Sequence, residues 1–314
     1  MAIKNLMEEL LKTITDCRTM DFEFVPTNEV PSAYKTDPNL TYESGKNKKG
    51  KIIKTCVLYV DIRDSVKLVE KHQFNTMGKI YTAFTKSVLR IADYYGAKVR
   101  NIIGDRVMVV FPSENCCTMA VHCAVTINHI AEEINRIFIG VNFKCGIGVD
   151  FGEMRVIKVG TEKKDDENAN FKNLIWVGYP ANIASRLTDM ANKEIEETYF
   201  EVFKEESVFN SILKQFVNRQ KRYEYSAEDF AELIHSSDGT WVFIEQFNKI
   251  KSFEKKKRTR IYAPILISKS VFNNYKKDNN TSKDIVEDYW EIQPNGIKNI
   301  TEEIYGSGIT WEIE

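Results

Sequence analysis

Asp61 and Asp105 each follow an apolar run in a chain of 314 residues. Asp61 comes directly after Cys56-Val57-Leu58-Tyr59-Val60, an apolar and β-branched stretch that predicts a buried strand. Asp105 follows Gly104 between the strand-like runs Ala97 to Ile103 and Arg106 to Phe111, and this Gly-Asp pair predicts the tip of a hairpin. A carboxylate at the mouth of a buried strand is costly unless it is paired, hydrogen-bonded or metal-bound. Hard cations such as Mg²⁺ take carboxylate oxygens together with substrate phosphates. Two of them about 3.5–4 Å apart clamp the attacking and leaving oxygens of a displacement at phosphorus. Taken singly, either aspartate reads as a turn residue; the pair is what points to phosphoryl chemistry.

A second pair adds to this. Pro180 fits a first helical turn, and Asn182 and Arg186 stand four residues apart on one face of the predicted helix, with Ala184 and Leu187 turned elsewhere. That face presents an amide beside a guanidinium, whose planar fork suits phosphate oxygens and takes up charge moving onto a leaving group. The histidines (His72, His122, His129 and His235) lie outside these segments and read as structural or surface residues.

The elements that must position these groups are legible in the periodicity. Asn75 to Tyr95, with Met77, Ile80, Phe84 and Val88 in register, predicts an amphipathic helix, as does Cys116 to Phe138. Val141 to Asp150 and Met154 to Val159 predict two strands. The resulting order is an α+β fold, the ferredoxin-like βαββαβ split motif with an antiparallel-rich sheet.

In that order, Val60-Asp61-Ile62-Arg63-Asp64-Ser65, Asn101-Ile102-Ile103-Gly104-Asp105-Arg106 and Asn182-Ile183-Ala184-Ser185-Arg186 resemble the three signature segments of class III nucleotide cyclases. The resemblance runs from about Lys51 to the C-terminus. It implies a nucleoside triphosphate substrate whose 3′ hydroxyl attacks its own α-phosphorus, and two divalent cations, Mg²⁺ or Mn²⁺. Asp61, Asp105 and the carbonyl of Ile62 would hold the metals, while Asn182 would orient the ribose and Arg186 would stabilise charge on the α-phosphate. It also implies a head-to-tail homodimer with composite sites, the aspartates from one subunit and the Asn-Arg pair from the other.

Base choice departs from the better-known members. Adenylate and guanylate cyclases carry lysine or glutamate four residues before the second aspartate, where this chain has Asn101. They carry aspartate or cysteine seven residues before the motif asparagine, where it has Ile175. A site without these readers leaves a purine edge unpaired. The Asn101 amide can pair with uracil or cytosine after a flip, and Trp176 and Tyr179 add bulk that would shrink the pocket. With the Asp-Ile-Arg-Asp-Ser segment and a long C-terminal elaboration, these features resemble the pyrimidine cyclases of bacterial Pycsar antiphage systems. That branch implies a 3′,5′-cyclic UMP or cyclic CMP second messenger, UTP being favoured, and a separate effector protein that responds to it. The rival readings are an adenylate or guanylate cyclase with an atypical base reader and a catalytically silent nucleotide-binding module. The silent module has no chemical need for the full residue set.

Net charge of -1 gives no global attraction for nucleic acid. The run Lys255-Lys256-Lys257-Arg258, extended by Arg260, predicts a solvated loop. Six cysteines without paired metal spacing predict reduced core residues, and no stretch approaches the ~20 apolar residues of a membrane span, so a cytoplasmic enzyme is expected. Residues 1–50 read as an N-terminal packing helix (Ile3 to Ile14) and a linker (Pro26 to Lys51), and 51–314 as the cyclase domain. An insertion at about 193–258 contains helix-like Phe200 to Phe216 and strand-like Thr240 to Phe247. The polar run within Thr161 to Asn173 predicts an exposed arm. Arg260 to Ser268, Tyr289 to Ile292 and Ile309 to Ile313 predict closing strands around a short helix, Ser270 to Tyr275.

Overall fold

The computed structural model describes residues 3–35, 37–41, 47–160, 173–233, 235–237, 241–243, 248–294 and 296–312. In chain order the elements are α1 (Ile3–Arg18), β1 (Asp21–Pro26), β2 (Asn47–Ile62), α2 (Ser65–Lys71), α3 (Phe74–Tyr94), β3 (Lys98–Ile103), β4 (Arg106–Val110), α4 (Cys116–Ile137), β5 (Cys145–Val159), β6 (Asn173–Val177) and α5 (Tyr179–Met190). They continue with β7 (Glu194–Asn210), β8 (Gln215–Ser226), α6 (Ala227–Leu233), β9 (His235–Ser237), β10 (Trp241–Phe243), β11 (Asn248–Ile261), β12 (Ile265–Ser268), α7 (Lys269–Asp278), α8 (Lys283–Val286), β13 (Glu291–Ile292) and β14 (Ile304–Ser307). The chain divides into two compact units, Met1–Lys193 with Tyr262–Glu314, and Glu194–Ile261.

In the first unit the sheet order is β13-β14-β12-β5-β2-β4-β3, with β1 also on β2 and β6 also on β5. The strands β5, β2, β4 and β3 are mutually antiparallel neighbours, and with α3 and α4 as crossovers they form the expected βαββαβ arrangement. The period-2 alternation of β2 sends residues to two cores. Leu58 and Val60 pack with Phe84 and Val88 of α3, Val121 and Ala124 of α4, and Ile147 and Val149 of β5. Ile53 and Val57 pack on the other face with Met108, Val110, Met154 and Ala184 of α5.

Several local expectations are corrected. The predicted strands either side of Phe151-Gly152-Glu153 are one strand, because those residues keep their register against Cys56, Thr55 and Lys54 of β2. The Pro26 to Lys51 linker is largely built into the fold: β1 ends at Pro26, β2 starts at Asn47, Thr27 N–H donates to the Ile52 carbonyl at 2.8 Å, and Leu40 is buried beside Val30 and Ala33. Residues of α1 are exposed throughout, including Leu6, Leu10 and Ile14, so this helix does not pack on the described part of its own chain. The last paired strand is β14, and Ile309 lies beyond it. All six cysteines are free, and five are buried while Cys17 is exposed on α1. No described helix is long and apolar enough to cross a membrane. The polar run Glu162 to Asn168 lies outside the described residues.

The second unit is an antiparallel sheet, β8-β7-β11, with the β9–β10 hairpin and α6. Phe200 stacks on Phe230 at 4.3 Å between centroids, and Phe230 meets Phe253 at 5.1 Å. Phe200 to Phe216 is therefore not a helix, and the basic run is not a loop. The run lies in β11 opposite the acidic β7, with Lys256 on Glu201 at 2.5 Å, Lys257 on Glu196 at 3.0 Å and Arg258 on Glu197 at 2.7 Å. Cross-strand neutralisation by a partner some sixty residues earlier, which local composition does not show, makes such a run a strand.

Candidate active site

Asp61 occupies the penultimate position of β2, where the ladder with β5 runs out at Ile62 and Cys145. Its side chain is 16% exposed. Ile62 buries its own side chain in the core, so only its backbone carbonyl is left for a metal. Next to it, Arg63 is buried under the site. Its Nε donates to the Ala191 carbonyl at 2.7 Å, and its Nη1 lies 3.7 Å from Asp61. Burial lowers the Arg63 pKa, and the Asp61 carboxylate opposes that shift.

Asp105 sits at the β3–β4 turn, after Gly104 in the left-handed region at φ 62°. That conformation suits glycine and carries the aspartate out of the ladder. The Tyr81 hydroxyl on α3 reports both carboxylates. Burial raises its pKa, Asp105 and Asp61 add to the rise, and a hydrogen bond with Ser65 opposes it. Both carboxylates lie within electrostatic range of that hydroxyl.

Arg106 was not singled out by the sequence motifs, yet it is the hub of the site. Its Nη2 donates to Asp61 Oδ2 at 2.8 Å and also to Asp189, and its Nη1 donates to Ser185 Oγ at 3.1 Å. Burial alone would lower its pKa, but the bonds it donates to Asp189 and Asp61 raise it overall. The i, i+4 pair Ser185 and Asp189 is the signal that sequence reading passed over.

On α5, Pro180 stands in the first turn and Ala184 and Leu187 are fully buried. The helix lies close on β5: a Cβ at Gly148 would come within 2.3 Å of the Ala184 carbonyl and 2.4 Å of the Thr188 nitrogen. Asn182 is exposed. The Arg186 guanidinium donates to the Lys298 carbonyl, and the Asn299 amide, with Oδ1 turned toward it, accepts at 2.8 and 3.0 Å. Among the described residues, no hydrogen bond or ion pair joins Asn182 or Arg186 to Asp61 or Asp105 within one chain.

Asn101 lines a cavity of about 450 Å³ with Arg100, Trp176, Leu174 and Tyr34. Leu174 and Trp176 face it from β6. Ile175, 47% exposed on the alternate face, does not line it, and neither does Tyr179, which is 84% exposed. One chain thus brings Asn101 to Trp176 but not to Ile175.

The residues present suit hard divalent cations. Asp61 near the end of β2 and Asp105 at the β3–β4 turn both lie within electrostatic range of the Tyr81 hydroxyl, and the donor set is all oxygen. The positive neighbours Arg63 and Arg106 stand where they balance Asp61 and Asp189.

The chain has curated homologues named uridylate cyclase. One from Burkholderia cepacia is 28% identical over 194 residues, which is 60% of this chain and 79% of that protein. Another, from Gulbenkiania mobilis, is 24% identical over 257 residues, covering 77% and 92%. Among solved structures, the guanylyl cyclase Cya2 superposes with a TM-score of 0.48 at 14% identity, over 84% of this chain and 95% of that one. No family model matches the chain. The pyrimidine-cyclase resemblance seen in the motifs is thus matched by homologues of that name.

Proposed function

We propose that this chain, a homologue of proteins named uridylate cyclase, is a pyrimidine nucleotide cyclase that converts UTP, in preference to CTP, into the 3′,5′-cyclic monophosphate and pyrophosphate. One observation carries the reading: the strand that leads to Asp105 also presents Asn101 to an aromatic-walled cavity whose lining holds neither lysine nor a carboxylate. A purine cyclase of the familiar kind needs such a group there.

Asp61, Asp105 and the Ile62 carbonyl would hold the divalent ions. When bound, the two metals lower the pKa of the 3′ hydroxyl and neutralise the triphosphate. Asn182 orients the ribose. Arg186 donates to the α-phosphate oxygens as negative charge builds on them and on the departing pyrophosphate. In the homodimer each site takes its aspartates from one subunit and its Asn-Arg pair from the other. We take 51–314 as the cyclase domain, with β1 and the start of β2 added to its sheet from residues 1–50 and the region near 193–258 as an insertion in it. The enzyme works in the cytoplasm, and its product is a second messenger for a separate effector in antiphage defence.

Incubating the purified protein with ATP, GTP, CTP and UTP separately, with Mn²⁺ or Mg²⁺, and resolving products by mass tests this. Cyclic UMP that disappears in Asp61→Ala is expected. Cyclic AMP or GMP alone would keep the mechanism and remove the pyrimidine assignment. No product from a folded dimer would favour a silent nucleotide-binding module.

A further inference from the structure

Arg100 is the residue the β3–β4 ladder skips. The register passes from Val99↔Val109 to Asn101↔Met108, leaving Arg100 as the extra residue of a bulge. Neighbours on a regular strand face opposite sides, and a bulge re-aims one of them. Here four successive residues, Val99 to Ile102, border one cavity, and Arg100 also borders a second, of about 680 Å³, with Glu29 and Asp37.

The guanidinium is poorly served where it stands. Its Nε is buried with no hydrogen-bond partner, and among the described residues no carboxylate compensates it. Burying part of a cation without an acceptor is costly. An acceptor entering the cavity would remove that cost, and the same walls carry Trp176 and Tyr34 as aromatic surfaces.

Guanidinium offers five donors and no acceptor. It matches a base carbonyl and opposes an exocyclic amino group, which also donates. Uracil has a carbonyl at position 4 where cytosine has an amino group, and adenine has an amino group at the corresponding edge. Asn101 beside it can accept from the uracil N3–H through its amide oxygen.

We propose that Arg100 is the specificity-determining residue that selects uracil over cytosine by donating to the 4-carbonyl, with Asn101 reading N3. This deepens the cyclase reading and rests on it. A site built to donate rejects the analogue that cannot accept by large factors, because its buried donor is then left unpaired.

The test compares wild type with Arg100→Gln and Arg100→Lys, each checked for fold and dimer by circular dichroism and light scattering. The readouts are kcat and KM for UTP and CTP, with calorimetric binding of both nucleotides in Ca²⁺. Arg100→Gln, whose amide also accepts, is expected to lower the UTP-to-CTP ratio of kcat/KM at least tenfold, mainly through KM for UTP. Arg100→Lys, which keeps donors without the fork, is expected to fall between. An unchanged ratio in the folded variants, or a wild type that prefers CTP, would overturn the proposal. Should the wild type cyclise nothing, the cyclase reading fails by itself, and the binding ratio still decides Arg100: a preference for UTP that Arg100→Gln erases supports it, and equal binding refutes it.

Discussion

Arg106 on β4 donates to Asp61 Oδ2 on β2 at 2.8 Å while the same nitrogen is held by Asp189 on α5. The arginine follows one proposed metal ligand, Asp105, in the chain and pairs with the other, so with Arg63 it supplies positive charge to Asp61.

Removing it should expose that dependence. Arg106→Gln is expected to be destabilised by about 1–3 kcal/mol, since a largely buried carboxylate loses a bonded partner. Mn²⁺ should then raise the Tm of the variant by more than it raises that of wild type, because an ion bound to the folded state stabilises it by mass action. Thermal melts with and without Mn²⁺ check this, and equal shifts would argue against Arg106 and the metal sharing Asp61.

The proposed composite site predicts complementation. Asp105→Ala and Arg186→Ala homodimers should each lose activity by about a thousandfold or more, in line with removing a metal ligand or a transition-state donor. Co-expressed in equal amounts, they should recover about a quarter of wild-type activity, because random pairing makes half the dimers mixed with one intact site in each. A purified mixed dimer without activity would count against subunit sharing.

Gly148 allows α5 to approach β5. Its Cβ would lie 2.3 Å from the Ala184 carbonyl. Gly148→Ala must therefore displace the helix that carries Asn182 and Arg186, and a loss of about 3 kcal/mol is expected from overpacking. Urea titration measures it; a loss below about 0.5 kcal/mol, the range of a neutral surface change, would contradict the close packing.

Asp150 is buried on β5, and burial raises its pKa against the hydrogen bonds from Ser268 and Ser270 and the Phe151 amide. A carboxyl whose folded pKa lies above its unfolded value contributes stability at low pH and loses it as pH rises from the unfolded pKa through the folded one. Asp150→Asn does not titrate. It should be more stable than wild type by about 1 kcal/mol at pH ~7, with the advantage shrinking toward pH ~3. Melts across that range check the sign, and a gain that grows on acidification would reverse the assignment.

The amino-acid sequence alone determined the order of elements and the polar groups they carry. Apolar runs with period 2 and 3.6 specify β2, α3 and α4 wherever the chain folds, because side-chain burial enforces those periods locally. Asp61, Asp105, Asn182 and Arg186 were legible because each lies at a defined point of such an element. Tertiary structure decided what depends on partners distant in the chain. Arg106 became the hub of the site only when β4 met Asp61 and Asp189. The basic run became a strand because β7 supplied its carboxylates. Ile175 stands off the cavity because the pleat of β6 turns Leu174 and Trp176 to it, and one extra residue in β3 leaves Arg100 outside the ladder at its edge. A one-residue change of register reverses which face a side chain occupies, and composition carries no record of where such a change falls.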